Sequence, residues 1–255
     1  MSDLLLRAPG ATSLATRVSA RAAAAAHRVS LTIDPSVDTA TAAAIVALWP
    51  PDDEVADSVT VSAHDIAASS VVAAYEARAV ADLVLSSFAR ETNLLVPATR
   101  FLVVGTGPVA DALAAALTRF GSRLEVAAAE PVGLWEIATR YAVGSRRITQ
   151  RPYIAADVDV VVTTGVGHPP LTTAAVEPGT RPLIVVGASF SLGAETGSVR
   201  GLTQYHAPRP VFTVLPVPAE ALAHTAAGIR AAYAVLLATV GARHADTALA
   251  EALQS

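Results

Sequence analysis

The chain is predicted to be an α/β protein: a doubly wound parallel sheet, preceded by a small α/β domain and followed by a C-terminal helix that packs back on that domain. Three observations predict this. From Arg100 onward, continuous apolar runs of strand length alternate with helix-length segments. The first run, RFLVVGTG, passes directly into a glycine turn and then into the helix-like PVADALAAALTRFG. The later runs, DVDVVVTTG (157–165) and RPLIVVGAS (181–189), are apolar throughout, as strands covered on both faces must be.

Each element follows from its residues. RVSARAAAAAHR predicts a helix, and RVSLTID (28–34) a strand. Pro35 to Asp38 open the helix TATAAAIVALW, which Pro50-Pro51 stop. SVTVSAHDI (58–66) alternates β-branched and polar residues and predicts a second strand. A long helix runs from about Ala67 to Arg90, ending in the linker ETNLLVPAT. RLEVAAAEP is a strand and VGLWEIATRYAV a helix; PVFTVLPV and a helix from about Pro218 to Gly241 complete the chain. The expected domains are 1–95, a substrate or cap domain; 96–215, a dinucleotide-binding domain; and 216–255, a helical segment.

Composition removes several classes of chemistry. The 255 residues are 53% hydrophobic and 16% charged, with a formal net charge of −4. There is no cysteine, which excludes disulfides, thiolate nucleophiles and iron–sulfur clusters. There is no lysine either: all 18 basic residues are arginine, so a Walker A loop, a Schiff base and a lysine base are excluded. The mildly acidic balance without a basic run argues against a nucleic-acid partner. Arg, Asp or Pro interrupts every apolar run before the ~18 residues of a membrane span, and MSDLLLRAPGATS lacks the pattern of a signal peptide. The expectations are a cytoplasmic protein, no membrane partner, a small-molecule substrate and, from the apolar composition, a homodimer.

Gly105, Thr106, Gly107, Pro108, Val109 and Ala110 spell G-x-G-x-x-A between a strand and a helix. Such a turn brings a backbone close to a pyrophosphate, while the helix N-terminus supplies amides and a positive dipole end. This is the Rossmann-type fingerprint, and it predicts NAD or NADP as cofactor. The acidic residue that binds ribose hydroxyls is expected at the end of the next strand; Glu130 arrives about two positions late. It either reaches the ribose or caps the helix starting at Pro131. No arginine sits in the expected place for a 2′-phosphate, although Arg146 and Arg147 could come near, so NAD is favoured over NADP. Thr163, Thr164 and Gly165, and Gly187, end the two later strands and face the same crevice.

The candidate acids and bases are His64, Asp65 and His168. His64-Asp65 lies at the end of the second strand and suits proton transfer during hydride transfer, or Asp65 or Ser69 opens the next helix. His168 lies on a crevice loop; His206 is a weaker candidate. Arg78 either binds an anion or pairs with Asp82 on the same helix. No His/Asp/Glu grouping has metal-ligand spacing.

The stretch from Arg90 to Pro131, RETNLLVPATRFLVVGTGPVA continuing to FGSRLEVAAAEP, together with DSVTVSAHD, DVVVTTG and LIVVGAS, resembles S-adenosylhomocysteine hydrolase over roughly residues 55–190. That resemblance implies an NAD-binding domain. It also implies that the hydrolase reaction is absent, because the family's catalytic lysine falls on Val61, its asparagines on Ala56 and Ile66, its histidine near Ser189 and its ribose glutamate on Ala128; only its catalytic aspartate is matched, by Asp65. GTGPVA, EARA (76–79) and DVDVVVTTGVGHPPLTTAAVEPGTRPLIVVGAS also resemble the ornithine cyclodeaminase/mu-crystallin family, again without its lysine. The function expected is an NAD(P)-dependent oxidoreductase acting on a small metabolite, in a biosynthetic pathway. The alternatives are a non-redox acid/base enzyme on the same fold, or a catalytically decayed nucleotide-binding protein.

Overall fold

The computed structural model describes residues 9–26, 29–49, 57–164, 166–187, 190–214 and 219–254, and within these the side chains of all but 9–13, 21, 24–26, 57, 219–222 and 254. The chain divides into two compact units, Met1–Ala79 with Pro218–Ser255, and Val80–Val217.

In the first unit, helix α1 (Pro9–Ala26), strand β1 (Val29–Ile33), helix α2 (Thr39–Leu48) and strand β2 (Asp57–Val61) lead to a short helix α3 (Ala63–Ala67) and the start of α4 (Ser70–Thr92). β1 and β2 pair in parallel, Leu31 beside Val59. The C-terminal helices, α7 (Ala219–Val240) and α8 (Ala242–Gln254), return to this unit: α7 packs on α2 and α1. Its Ala231, Ala234, Val235 and Leu236 share a core with Val18, Ile45, Val61 and Val72. Arg230 of α7 donates to Glu76 of α4 and, at 3.0 Å, to Asp38 at the N-cap of α2. Glu76 therefore pairs with Arg230, and among the described residues Arg78 makes no ion pair with Asp82. The stretch Ala223–Val240 is long and apolar enough to cross a membrane, with 56% of it buried; only by counting Arg230 as an interruption does the sequence expectation of no such stretch hold.

The second unit is an eight-stranded sheet. Its strands are β3 (Arg100–Val104), β4 (Arg123–Ala128), β5 (Gly144–Arg147), β6 (Val160–Thr163), β8 (Leu183–Gly187), β10 (Glu195–Val199), β11 (Leu202–Tyr205) and β12 (Val211–Thr213). A two-stranded piece, β7 (Leu171–Thr172) and β9 (Phe190–Ser191), stands apart from it. The order is β10-β11-β12-β8-β6-β3-β4-β5; the six strands from β12 to β5 are parallel and the β10–β11 hairpin is antiparallel. Along the parallel strands the chain moves outward from β3 through β4 to β5, then crosses back to β6 and outward through β8 to β12. That reversal is the topological switch of a doubly wound sheet.

Alternation distributes the strand side chains between two cores. Phe101, Val103, Val126, Val160, Val162 and Val186 face helices α5 (Pro108–Arg119), α6 (Pro131–Tyr141) and the second half of α4. Leu102, Val104, Val161, Leu183 and Val185 face the other way, onto Tyr153, Ile154, Leu171 and Val176. The second face is covered by irregular chain and a 3₁₀ turn at Thr173–Ala175, so helices do not alternate with strands after β5 as the sequence suggested. The division between units also falls inside α4, at Ala79/Val80, instead of after its end: Ala81, Val84, Leu85 and Phe88 belong to the sheet core, with Phe88 set edge-on to Phe101 at 5.4 Å.

The N-terminal edge of the sheet carries a charged belt. Arg100 pairs with Asp157, Arg181 with Asp159, and the Asp159 carboxylate also accepts the Arg100 amide at 3.0 Å. Arg209, only 2% exposed, donates to the carbonyls of Ala156 (2.8 Å) and Ala155 (3.2 Å). Burial pushes its guanidinium below the ordinary arginine range, opposed by the nearby charges of Asp159 and Glu177.

Phe88→Ala should empty a fully enclosed site between α4 and β3 and cost about 3–5 kcal/mol. Urea unfolding followed by near-ultraviolet circular dichroism checks this; an unchanged midpoint would detach α4 from the sheet core.

Candidate nucleotide site

The glycine turn sits at the C-terminal end of β3, beside the switch point. β3 is apolar from Phe101 to Val104, and α5 buries Ala110, Leu113, Ala114 and Leu117, a helical face whose two alanines let the helix lie close to the sheet. Gly107 is the N-cap of α5, with φ 87° and ψ −173°, a conformation that a side chain resists. Pro108 takes the first helical position, where its missing N–H costs nothing. The Val109 and Ala110 amides, next in the first turn, belong to the set that a helix start leaves without intrahelical partners. Gly105 donates its amide to Ala127 O at 2.8 Å and is so closely surrounded that a Cβ there would collide with Thr164 and the Val166 carbonyl.

Glu130 caps α6. One carboxylate oxygen accepts the Val132 amide and the other the Gly133 amide, both at 2.7 Å. The capping alternative is therefore what the structure places there, and the position at the end of β4 is Ala128. Glu130 still stays near the turn: a Cβ on Gly133 would lie 2.9 Å from its Oε2 and 3.1 Å from Thr106 Cβ. Arg146 is tied to the Tyr153 carbonyl and to Glu125, while Arg147 is exposed. Thr163 is the register partner of Gly187, and Thr164 donates its amide to Val104 O at 3.1 Å. Gly165 and Ser189 lie outside the described residues.

His168 is half-buried, and its Nδ1–H donates to the Pro169 carbonyl at 2.6 Å. Its ring edge lies against Gly105: Cδ2 would be 3.0 Å from a Cβ there. The sequence indicated the crevice loop but not that Val166 and Gly167 hydrogen-bond across the turn. Those contacts are made by backbone atoms, so no residue type announces them.

His64 and Asp65 belong to the first unit. β2 ends at Val61, so they stand on α3 and not on a strand as expected. The pattern Ser62-Ala63-His64-Asp65 forms a capping box, which overrides the strand-like alternation. Asp65 N donates to Ser62 Oγ at 3.2 Å, while Asp65 Oδ2 accepts the Ser62 amide at 2.9 Å and the Ser62 hydroxyl at 2.6 Å. The Ser62 hydroxyl first, then its amide, hold the Asp65 carboxyl below the usual carboxylate range. His64 is exposed, as are His206, His224 and His244. Among the described residues no group of three His, Asp or Glu side chains is placed to hold a metal.

The six parallel strands, the switch at β3/β6 and the glycine turn define the second unit as a Rossmann-type α/β domain. No protein-family model matches the chain, and no curated protein does. Among solved structures it is similar to a dipicolinate synthase subunit from Bacillus halodurans, at 15% identity over 79% of this chain and 63% of that one, with a TM-score of 0.45. It is similar also to an L-alanine dehydrogenase, at 15% identity over 76% of this chain and 64% of that one, again with a TM-score of 0.45. The chain spans less than two thirds of either, and neither likeness bears on what it does.

A depressed carboxylate stabilises the fold above its unfolded pKa, near 3.9, and that contribution disappears as pH falls through the folded value. Asp65→Ala should therefore cost about 1 kcal/mol at neutral pH, and the deficit should vanish in strong acid. Thermal unfolding of the two proteins from pH 7 downward checks this; a deficit independent of pH would mean the carboxylate contributes nothing to the cap.

Proposed function

We propose that the protein is an NAD(P)-dependent oxidoreductase acting on a small metabolite, with its cofactor at the β3–α5 turn. The observation that carries this reading is Gly107 at the N-cap of α5, at φ 87°, beside the point where the parallel strand order reverses. A pyrophosphate fits there: the Val109 and Ala110 amides and the helix dipole would hold it. Thr163, Thr164 and Gly187 stand at the ends of β6 and β8, toward the other half of the crevice. A nicotinamide ring, when bound, supplies the hydride acceptor or donor. The chain's own residues bind and orient it, and Glu130 keeps a negative charge near Thr106, which disfavours a 2′-phosphate and so favours NAD. The reading includes a cytoplasmic homodimer.

One observation favours the decayed-enzyme alternative. The Asp65 carboxylate, the residue that matches a catalytic acid in the hydrolase resemblance, has its Oδ2 engaged by its own helix cap.

Calorimetric titration with NAD, NADH, NADP and NADPH tests the reading. NAD(H) should bind at least about tenfold more tightly than NADP(H), a difference of ~1.4 kcal/mol. Gly107→Arg should abolish binding without changing the circular dichroism spectrum. Absence of binding by all four at millimolar concentration would overturn it. If NADH binds yet no hydride is exchanged with any carbonyl substrate tried, the decayed alternative gains.

A further inference from the structure

The chain that follows β6 returns across the glycine turn. Val166 O accepts the Thr106 amide at 3.0 Å, and Gly167 O accepts the Ala129 amide at 3.1 Å, so this short segment bridges the C-terminal ends of β3 and β4. Its side chains complete the cover. Val166 Cγ1 would lie 3.7 Å from a Cβ on Gly107, and the His168 ring is against Gly105. Thr106, at the centre of the turn, is left only 7% exposed. Gly167 has φ 71° and faces Thr106, with its own Cβ position 3.4 Å from that of Thr106.

In open α/β sheets a dinucleotide lies outside the strand ends at the switch point, one half on either side of it. Here the polypeptide itself crosses that path. Its two carbonyl oxygens accept amides at the turn and at the end of β4, the acceptor role that oxygens of a bound nucleotide would play. Resting on the nucleotide reading above, we propose that Val166–His168 is a strap that occupies part of the dinucleotide crevice and must be displaced for the cofactor to bind. The cofactor then binds only the strap-open state, and its affinity is lowered by the fraction of molecules that are open.

The absence of cysteine allows a direct test. A Thr106→Cys/Gly167→Cys double variant introduces one pair whose Cβ positions lie 3.4 Å apart, close to the ~3.5–4.5 Å of ordinary disulfides. Oxidation fastens the strap shut and reduction frees it in the same molecule, so folding is compared within one protein by circular dichroism. Titration with NADH should show binding to the reduced form and a loss of about 100-fold or more on oxidation. Gly167→Ala supplies the opposite bias, since its methyl is driven against the Thr106 hydroxyl. It should bind NADH about tenfold more tightly than the parent chain. Hydrogen exchange on the parent chain should find the Ala129 amide protected without nucleotide.

Equal affinity in the oxidised and reduced forms would overturn the strap while leaving the nucleotide site intact. So would a Gly167→Ala affinity equal to or weaker than the parent's, or rapid exchange at Ala129 without nucleotide. No NADH binding by the parent chain and by Gly167→Ala alike would overturn the nucleotide reading and the strap with it.

Discussion

The second unit depends on a crossing of backbones at the C-terminal end of β3 that leaves no room for a side chain. Gly105 donates to Ala127 of β4, Thr164 after β6 donates to Val104, and Thr106 donates to Val166. Three segments from separate parts of the sequence thus satisfy one another's amides and carbonyls within a few residues. Buried backbone groups demand such partners, so the turn fixes the position of both flanking strands and not merely its own shape. The two alanines on the inner face of α5 continue the same constraint outward.

The opposite edge of the sheet is organised by charge. Arg100, Asp157, Asp159 and Arg181 tie the starts of β3, β6 and β8 together, and buried Arg209 takes up two loop carbonyls. Exposed ion pairs contribute little individually. A buried guanidinium is different, because removing it would take from the Ala156 carbonyl its 2.8 Å donor, although the Ala155 carbonyl would keep the Val158 amide. The sheet therefore has one edge held by side-chain charge and one held by backbone contacts around glycine. The latter also carries the N-terminus of α5.

Much of this is legible in the sequence. Continuous apolar runs locate β3, β6 and β8, and the glycine turn places the switch point, because parallel strands buried on two faces are apolar throughout. Polar edge strands give no such signal: GSRR of β5 carries no apolar pattern, and ETGSV of β10 is exposed at every residue. His64 and Asp65 read as strand residues because the capping box Ser62-Ala63-His64-Asp65 extends a β-branched alternation by a few residues. The Val166–Gly167 contacts are invisible for a deeper reason. A hydrogen bond between main-chain atoms can be made by almost any residue, and only the positive φ of Gly167 leaves a trace of it.

Glu130 and Asp65 illustrate how one chemical group serves two demands. A carboxylate that accepts amides at a helix start is stabilised by the same dipole and donors that would hold a phosphate or orient a ribose. Glu130 gives both oxygens to the Val132 and Gly133 amides. An ionised carboxylate oxygen has more than one lone-pair direction, so accepting an amide does not end its capacity to accept a ribose hydroxyl. Capping makes its position firm. The capping and ribose-reading roles, which the sequence sets against each other, are thus compatible at Glu130. Asp65 differs in kind: the amide and hydroxyl that hold its Oδ2 come from a single residue, Ser62, in a box closed on itself. Its depressed pKa follows from those two hydrogen bonds, a purely local cause that calls for no ligand.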